Sequence, residues 1–273
     1  MATTTLPTGP TVDYTDSGGD GPAIVLSHGF MLDQGMFDGQ VPALVDAGWR
    51  VITWDQRGHG ATTFDEEPYT YWDSAHDLLA LLDHLGIERA VVGGMSQGGF
   101  IALRVALLAP ERVRGLVLLD SQAGVENPEL VPLYEGMAQS WIDDGPTEEL
   151  ARTVGGLILG PVGVDEFVAT WLARPATDIA LPFRTLMDRD DVTDRLGEIT
   201  APAVVVHGTD DPSIPVSRAV DLANGLPGAG PVVLIEGGHH GANVSHPADV
   251  NLAVLAFLGT LTPQHADPRS TKS

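Results

Sequence analysis

The sequence has no cysteine and a single lysine, Lys272. Without cysteine there is no disulfide, no thiolate metal site and no cysteine nucleophile. Positive charge is scarce: 14 Lys and Arg stand against 37 Asp and Glu, a net charge of −23. Such a surface repels phosphate backbones and anionic lipid, so neither nucleic acid nor a membrane is an expected partner. No apolar run approaches the length of a membrane span. The first residues, Met1-Ala2-Thr3-Thr4-Thr5-Leu6-Pro7, lack the basic-then-apolar order of a secretory signal, and the expected location is cytoplasmic. What is present is ordinary globular material. The 273 residues are 43% hydrophobic, enough for one α/β domain, with or without an insertion.

Strand and helix patterns alternate along the chain. Residues 1–10, rich in Thr and Pro, are expected to be poorly ordered, and 12–15 to form a short edge strand. Residues 23–27 (Ala-Ile-Val-Leu-Ser) are a continuous apolar strand, as in a parallel sheet covered on both faces. A helix at 40–47 and a strand at 50–55 follow. The helix expected at 72–85 carries Leu78, Leu81, Leu82 and Leu85 at i, i+3, i+4 and i+7, with Gly86 as its stop. A β-branched strand from Ala90 runs into Gly94-Met95-Ser96-Gln97-Gly98 and then a helix at 100–109, which is apolar nearly all round and reads as buried. Another strand lies within 113–120. From 121 to 199 no strand is readable; helical pieces, prolines, glycines and scattered aromatics read as a helical cap insertion. The alternation resumes with a strand at 203–206, a helix at 217–226, a strand at 232–235, a helix at 248–258 and a loose tail of about a dozen residues. The expected fold class is α/β: a mostly parallel sheet flanked by helices on both faces, with residues 1–120 and 200–273 as the core, 121–199 as the cap, and all of it one structural unit.

In such sheets function gathers at the carboxyl ends of strands. His28-Gly29, Asp55, Ser96, Asp120, Asp211 and His240 all fall at those ends. Between its strand and its helix, Gly-Met-Ser-Gln-Gly has the form of a nucleophile elbow. Glycines on either side of Ser96 let backbones approach while Oγ projects, and the helix N-terminus favours a developing negative charge. A serine hydroxyl needs a base, usually histidine, and a carboxylate to orient that histidine. Ser96, Asp211 and His240 supply these in the order Ser…Asp…His. Asp210 and Asp120 rival Asp211, and His239 rivals His240. Two backbone N–H groups must hold the oxyanion. Gln97, directly after the serine, and Phe30, in the loop after the 23–27 strand, are the candidates. His28 reads as a brace for that loop and, with Met31, as a pocket candidate. In Asp55-Gln56-Arg57-Gly58-His59-Gly60 no second histidine or carboxylate stands at ligand spacing, so the stretch reads as a tight turn and no metal site is expected, with His59 near the pocket mouth.

These residues together resemble the α/β-hydrolase superfamily, over nearly the whole chain from about Ala23 to Leu258. Ser27-His28-Gly29-Phe30 resembles its His-Gly oxyanion loop, residues 55–60 its D-x-R-G-x-G block, and Gly94-Met95-Ser96-Gln97-Gly98-Gly99 its elbow. Gly208-Thr209-Asp210-Asp211-Pro212-Ser213-Ile214-Pro215 is similar to its G-x-x-D-x-x-x-P acid loop, which implies Asp211 as the acid. The family's Gly-His pair points to His239, whereas its proline about seven residues beyond the base, here Pro247, points to His240; the downstream register is preferred because it sets where the last helix begins. Among the superfamily's branches the resemblance is to carboxylesterases, enol-lactonases and cofactor-free haloperoxidases. Haloalkane dehalogenases and epoxide hydrolases carry an aspartate at the elbow, where this chain has Ser96.

The resulting expectation is a serine hydrolase of a small-molecule carboxylic ester or lactone, working through an acyl-enzyme with no cofactor or metal. Ser96, Asp211 and His240 are its expected catalytic residues, and Trp141, Phe167 and Trp171 of the cap are further pocket candidates. Alternatives are C–C bond hydrolysis or perhydrolysis by the same triad, and a non-catalytic small-molecule receptor on the same fold. Nothing in the sequence sets an oligomeric state, and a homodimer stays open.

Overall fold

The apolar runs become strands of one sheet. In the computed structural model, which describes residues 1–161, 164–173 and 179–261, β1 (Ala2–Thr5), β2 (Thr11–Asp16), β3 (Ala23–Ser27), α1 (Val41–Asp46), β4 (Arg50–Trp54), α2 (Tyr71–His84), β5 (Ala90–Met95), α3 (Gln97–Leu108) and β6 (Val113–Leu119) come first. The helices α4 (Val131–Asp144), α5 (Glu148–Leu159), α6 (Val164–Leu172) and α7 (Ala180–Met187) come next, and then β7 (Ala203–Gly208), α8 (Val216–Gly225), β8 (Val233–Ile235), α9 (Ala242–Ser245) and α10 (Pro247–Leu258). The 8-stranded sheet has the order β1-β2-β4-β3-β5-β6-β7-β8. Pairings of β1 with β2 and of β2 with β4 are antiparallel; every other pairing is parallel.

Side chains of the central strands alternate between two cores. Val25 packs in the one that holds Leu78 and Leu81 of α2 and Ile101 of α3. Ile24 and Leu26 pack in the other, with Leu44 of α1 and Val250 and Val254 of α10. Both faces are therefore covered, which is why these strands read as continuous apolar runs rather than alternating ones. Full burial of one such side chain contributes about 1.5–3 kcal/mol. The leucine stripe of α2 faces inward as its period requires, and Thr70 and Asp73 form a reciprocal capping box at its start.

The N-terminus departs from expectation. Residues 1–10 form a hairpin with β2 rather than a loose lead-in, so β2 lies inside the sheet and β1 takes the edge. The β-branched threonines suit a strand. The turn between is closed by the Leu6 N–H donating to the Pro10 carbonyl (2.8 Å), and Leu6 itself is buried in the core. Between β6 and β7 the described residues hold only helical elements and loops. Trp141 of α4 and Trp171 of α6 meet edge-to-face, with ring centroids 6.0 Å apart. The expected loose tail lies outside the described residues. Among the described residues no helix is long and apolar enough to cross a membrane.

Candidate active site

Ser96 stands alone between β5 and α3 at φ 51° and ψ −113°. A non-glycine residue there costs on the order of 1–3 kcal/mol and persists only when its surroundings hold it. Two bonds do so. The Ser96 N–H donates to the Leu119 carbonyl (2.9 Å), and the Ser121 hydroxyl donates to the Ser96 carbonyl (2.9 Å). Gly98 is required by a close approach: a Cβ there would run into the Ser27 carbonyl. With the backbone so held, Oγ projects toward His240.

His240 Nε2 lies 2.9 Å from Ser96 Oγ, and its Nδ1 lies 2.8 Å from Asp211 Oδ2. An ionised carboxylate only accepts, so Nδ1 carries the proton and Nε2 is left to accept from the serine. Asp211 Oδ1 accepts from the Ser213 and Ile214 N–H groups (2.8 and 2.9 Å), which aims Oδ2 at the histidine. Burial opposes the Asp211 charge. The charge and hydrogen bond of His240, with the Ile214 N–H, outweigh it and hold the carboxyl below its ordinary value. Burial likewise disfavours the His240 imidazolium, but Asp211 beside it more than offsets that, and the histidine is raised above its ordinary value.

The rivals are placed elsewhere. Asp210 is exposed and accepts from the Thr209 hydroxyl (3.1 Å). His239 turns toward Gly160, with Nδ1 3.3 Å from the Gly237 carbonyl. Asp120 lies behind the histidine loop, not on it: Oδ1 accepts from the Gly208 N–H (2.8 Å) and Oδ2 from the Ala242 N–H (3.1 Å). It joins the end of β7 to the start of α9. Burial, then the charge of Asp211, pushes it up to about 8.

Asp120, His207 and Asp211 present ligand atoms within 4.8 Å of one another, a spacing that a metal ion could use. Their carboxylate oxygens already accept hydrogen bonds, while His207 Nδ1 has no hydrogen-bond partner among the described residues. Both Asp120 oxygens and both Asp211 oxygens accept the bonds just described, and His207 Nε2 donates to the Ile214 carbonyl (2.8 Å). A cation bound through Asp211 Oδ2 would compete with the His240–Asp211 bond that orients the base.

The loop after β3 is braced from beneath and above. His28 Nε2 accepts from the Gln56 N–H (3.0 Å), which puts the ring proton on Nδ1, 2.8 Å from the Gly29 carbonyl. The Trp171 indole N–H donates to the carbonyl of Met31 (2.7 Å), a residue held at φ 64°. The Gln97 side chain accepts from the Tyr71 hydroxyl (3.1 Å) and donates to Gln56 Oε1 (3.0 Å). The backbone N–H groups of Phe30 and Gln97 have no hydrogen-bond partner among the described residues.

Ser96 and His240 open into a cavity of about 120 Å³, walled by Phe30, Met31 and Met95 from the strand ends and by residues of α4, α5 and α7. Of the pocket candidates, Met31 and Trp141 line it; His28, Phe167 and Trp171 do not. His28 is fully buried under the loop, Trp171 is spent on Met31, and Phe167 packs against Trp171 with centroids 6.3 Å apart. His59 is buried against His28 rather than at the mouth. Glu126, which does line the cavity, sits in a loop with no sequence pattern to mark it.

Known proteins share this fold. A family model described as the alpha/beta hydrolase fold matches residues 22–242. The non-heme chloroperoxidase of Streptomyces lividans is 31% identical, over 94% of this chain and 99% of that protein. The structure of a thermophilic esterase from Thermogutta terrifontis superimposes with a TM-score of 0.85 at 27% identity, covering 95% of this chain and 98% of the esterase. The enol-lactonase of Burkholderia xenovorans superimposes with a TM-score of 0.84 at 25% identity, covering 94% of this chain and 100% of the lactonase.

Proposed function

The chain belongs to the α/β-hydrolase fold family, and from that premise we propose that it is a serine hydrolase cleaving a carboxylic ester or lactone of a small molecule. The observation that carries this reading is the unbroken hydrogen-bond chain Ser96–His240–Asp211 opening into an apolar cavity. His240 Nε2 takes the proton as Ser96 Oγ attacks the carbonyl carbon. The Phe30 and Gln97 N–H groups hold the oxygen that becomes negative, at the N-terminus of α3. His240 then gives its proton to the leaving alkoxide, which departs as the alcohol. Water, deprotonated by the same nitrogen, attacks the acyl-enzyme and releases the acid and free Ser96. Asp211 keeps Nδ1 protonated throughout.

The relative from Streptomyces lividans gives a second reading, since it is named as a chloroperoxidase. If hydrogen peroxide replaced water in the second step, the same acyl-enzyme would yield a peracid.

Ser96→Ala is expected to lower kcat/KM on a p-nitrophenyl ester by at least ~10³-fold, with the circular dichroism spectrum unchanged. Retention of most activity by that variant would overturn the mechanism. Labelling of Ser96 by a fluorophosphonate separates the enzyme from a non-catalytic receptor, and peracid formation from acetate and peroxide tests the second reading.

A further inference from the structure

The cavity is apolar except for Ser96, His240 and one corner, where Glu126, Tyr134 and Ser213 meet. Tyr134 lies close to both Glu126 and Ser213. Glu126 comes from the loop after β6, and behind it stands Arg189, from just beyond α7. The Arg189 side chain is 1% exposed, and its Nη2 makes an ion pair with Glu126 but no hydrogen bond among the described residues. Its Nε donates to the Gly124 carbonyl (3.1 Å), Nη1 to the Leu186 carbonyl (2.7 Å), and the guanidinium lies over the Phe100 ring, 4.5 Å from its centroid. Nη2 is 2.9 Å from Glu126 Oε1.

The two charges are therefore arranged in depth. The cation is shut behind the wall, and the carboxylate it holds faces the cavity. Glu126 Oε2 has no hydrogen-bond partner among the described residues. No lysine or arginine is among the described residues that line the cavity, and Glu126 is the single acid there. An acceptor held rigidly in an apolar wall discriminates strongly. It rewards a donor placed against it and penalises a second negative charge, because little water is present to screen either. The volume sets the size of the apolar part: about 120 Å³ is near the ~150 Å³ of an apolar cavity that takes benzene.

We propose that Glu126 selects the substrate: the site takes an ester or lactone with a compact apolar part of about six carbons and a hydroxyl or ammonium donor for Glu126 Oε2, and it rejects esters that carry a carboxylate. This rests on the serine-hydrolase reading above. Arg189 is the positioning residue, fixing where the carboxylate stands.

The test compares p-nitrophenyl esters of hexanoic, 6-hydroxyhexanoic and adipic acid, which share leaving group and length and differ only at the far end. For the unmodified protein, kcat/KM is expected to be severalfold higher for the hydroxy ester than for hexanoate, and at least about tenfold lower for the adipate monoester. Glu126→Gln is expected to raise the adipate-to-hexanoate ratio by about tenfold. The double variant Glu126→Leu/Arg189→Met, which leaves no buried charge unpaired, is expected to lose the hydroxyl preference. Equal rates on all three esters by the unmodified protein would overturn the assignment of Glu126 while leaving the hydrolase reading intact. That comparison decides the matter even where neither variant folds. Absence of turnover on every ester would overturn the hydrolase reading and this one with it.

Discussion

At His240 two influences oppose each other. Burial favours the neutral ring, while the charge and hydrogen bond of Asp211 favour the protonated one, and the second prevails. The base works only when Nε2 is free, so protonation stops it. Because the pKa is raised, kcat/KM is expected to fall as pH drops through a midpoint above the ordinary 6.5 of histidine. Asp211→Asn removes the main influence raising that midpoint. The midpoint is then expected to move down, and kcat/KM at pH 8 to fall on the order of 10⁴-fold, because an amide no longer holds the correct tautomer. A pH–rate profile on a neutral ester measures both. A midpoint unmoved in Asp211→Asn would show that another carboxyl, Asp120 in the first instance, governs the histidine.

Among the elements, α6 does something its sequence does not advertise. It is short, it contributes nothing to the cavity wall, and yet its Trp171 reaches the loop after β3 and donates to the Met31 carbonyl. That bond holds a residue in the left-handed region directly after Phe30, whose N–H is the proposed oxyanion donor. Trp171→Phe keeps most of the packing and removes the donor, leaving a buried carbonyl unsatisfied at a cost of about 1–3 kcal/mol. Part of that cost is expected to appear as a kcat several-fold lower with KM nearly unchanged, since an oxyanion donor acts in the transition state more than on bound substrate. A change confined to melting temperature would make the tryptophan a packing residue only.

Over the whole molecule the charge of −23 makes a negative field that reaches solvent. Its range is the Debye length, roughly 30 Å at 0.01 M salt and about 10 Å at 0.1 M. An ester bearing a carboxylate approaches against this field, so its kcat/KM is expected to rise severalfold between 0.01 and 0.5 M salt, while that of a neutral ester of equal size stays level. The effect is separable from Glu126. Surface repulsion is screened away by salt, whereas repulsion inside the cavity persists, so the adipate monoester is expected to remain the poorer substrate at 0.5 M. Stopped-flow or steady-state rates across a salt series distinguish the two contributions.

Local pattern alone determined the parts of this protein that depend on near neighbours. The strand–helix alternation is written in side-chain periodicity, and the turn at Ser96 in the glycines that let Gly98 pass the Ser27 carbonyl. The order of Ser96, Asp211 and His240 was legible for the same reason. Which of two adjacent side chains faces inward was not. Asp210 and Asp211, or His239 and His240, have the same composition and opposite directions, and the choice is made by contacts from remote segments: Ser96 on one side of His240, Gly160 beside His239. The same holds for Phe167 and Trp171, which turn to each other and to Met31 instead of the cavity. Only tertiary packing could set Glu126 against Arg189 in the wall of the cavity, because the direction of a loop side chain is decided by whatever the folded chain brings against it.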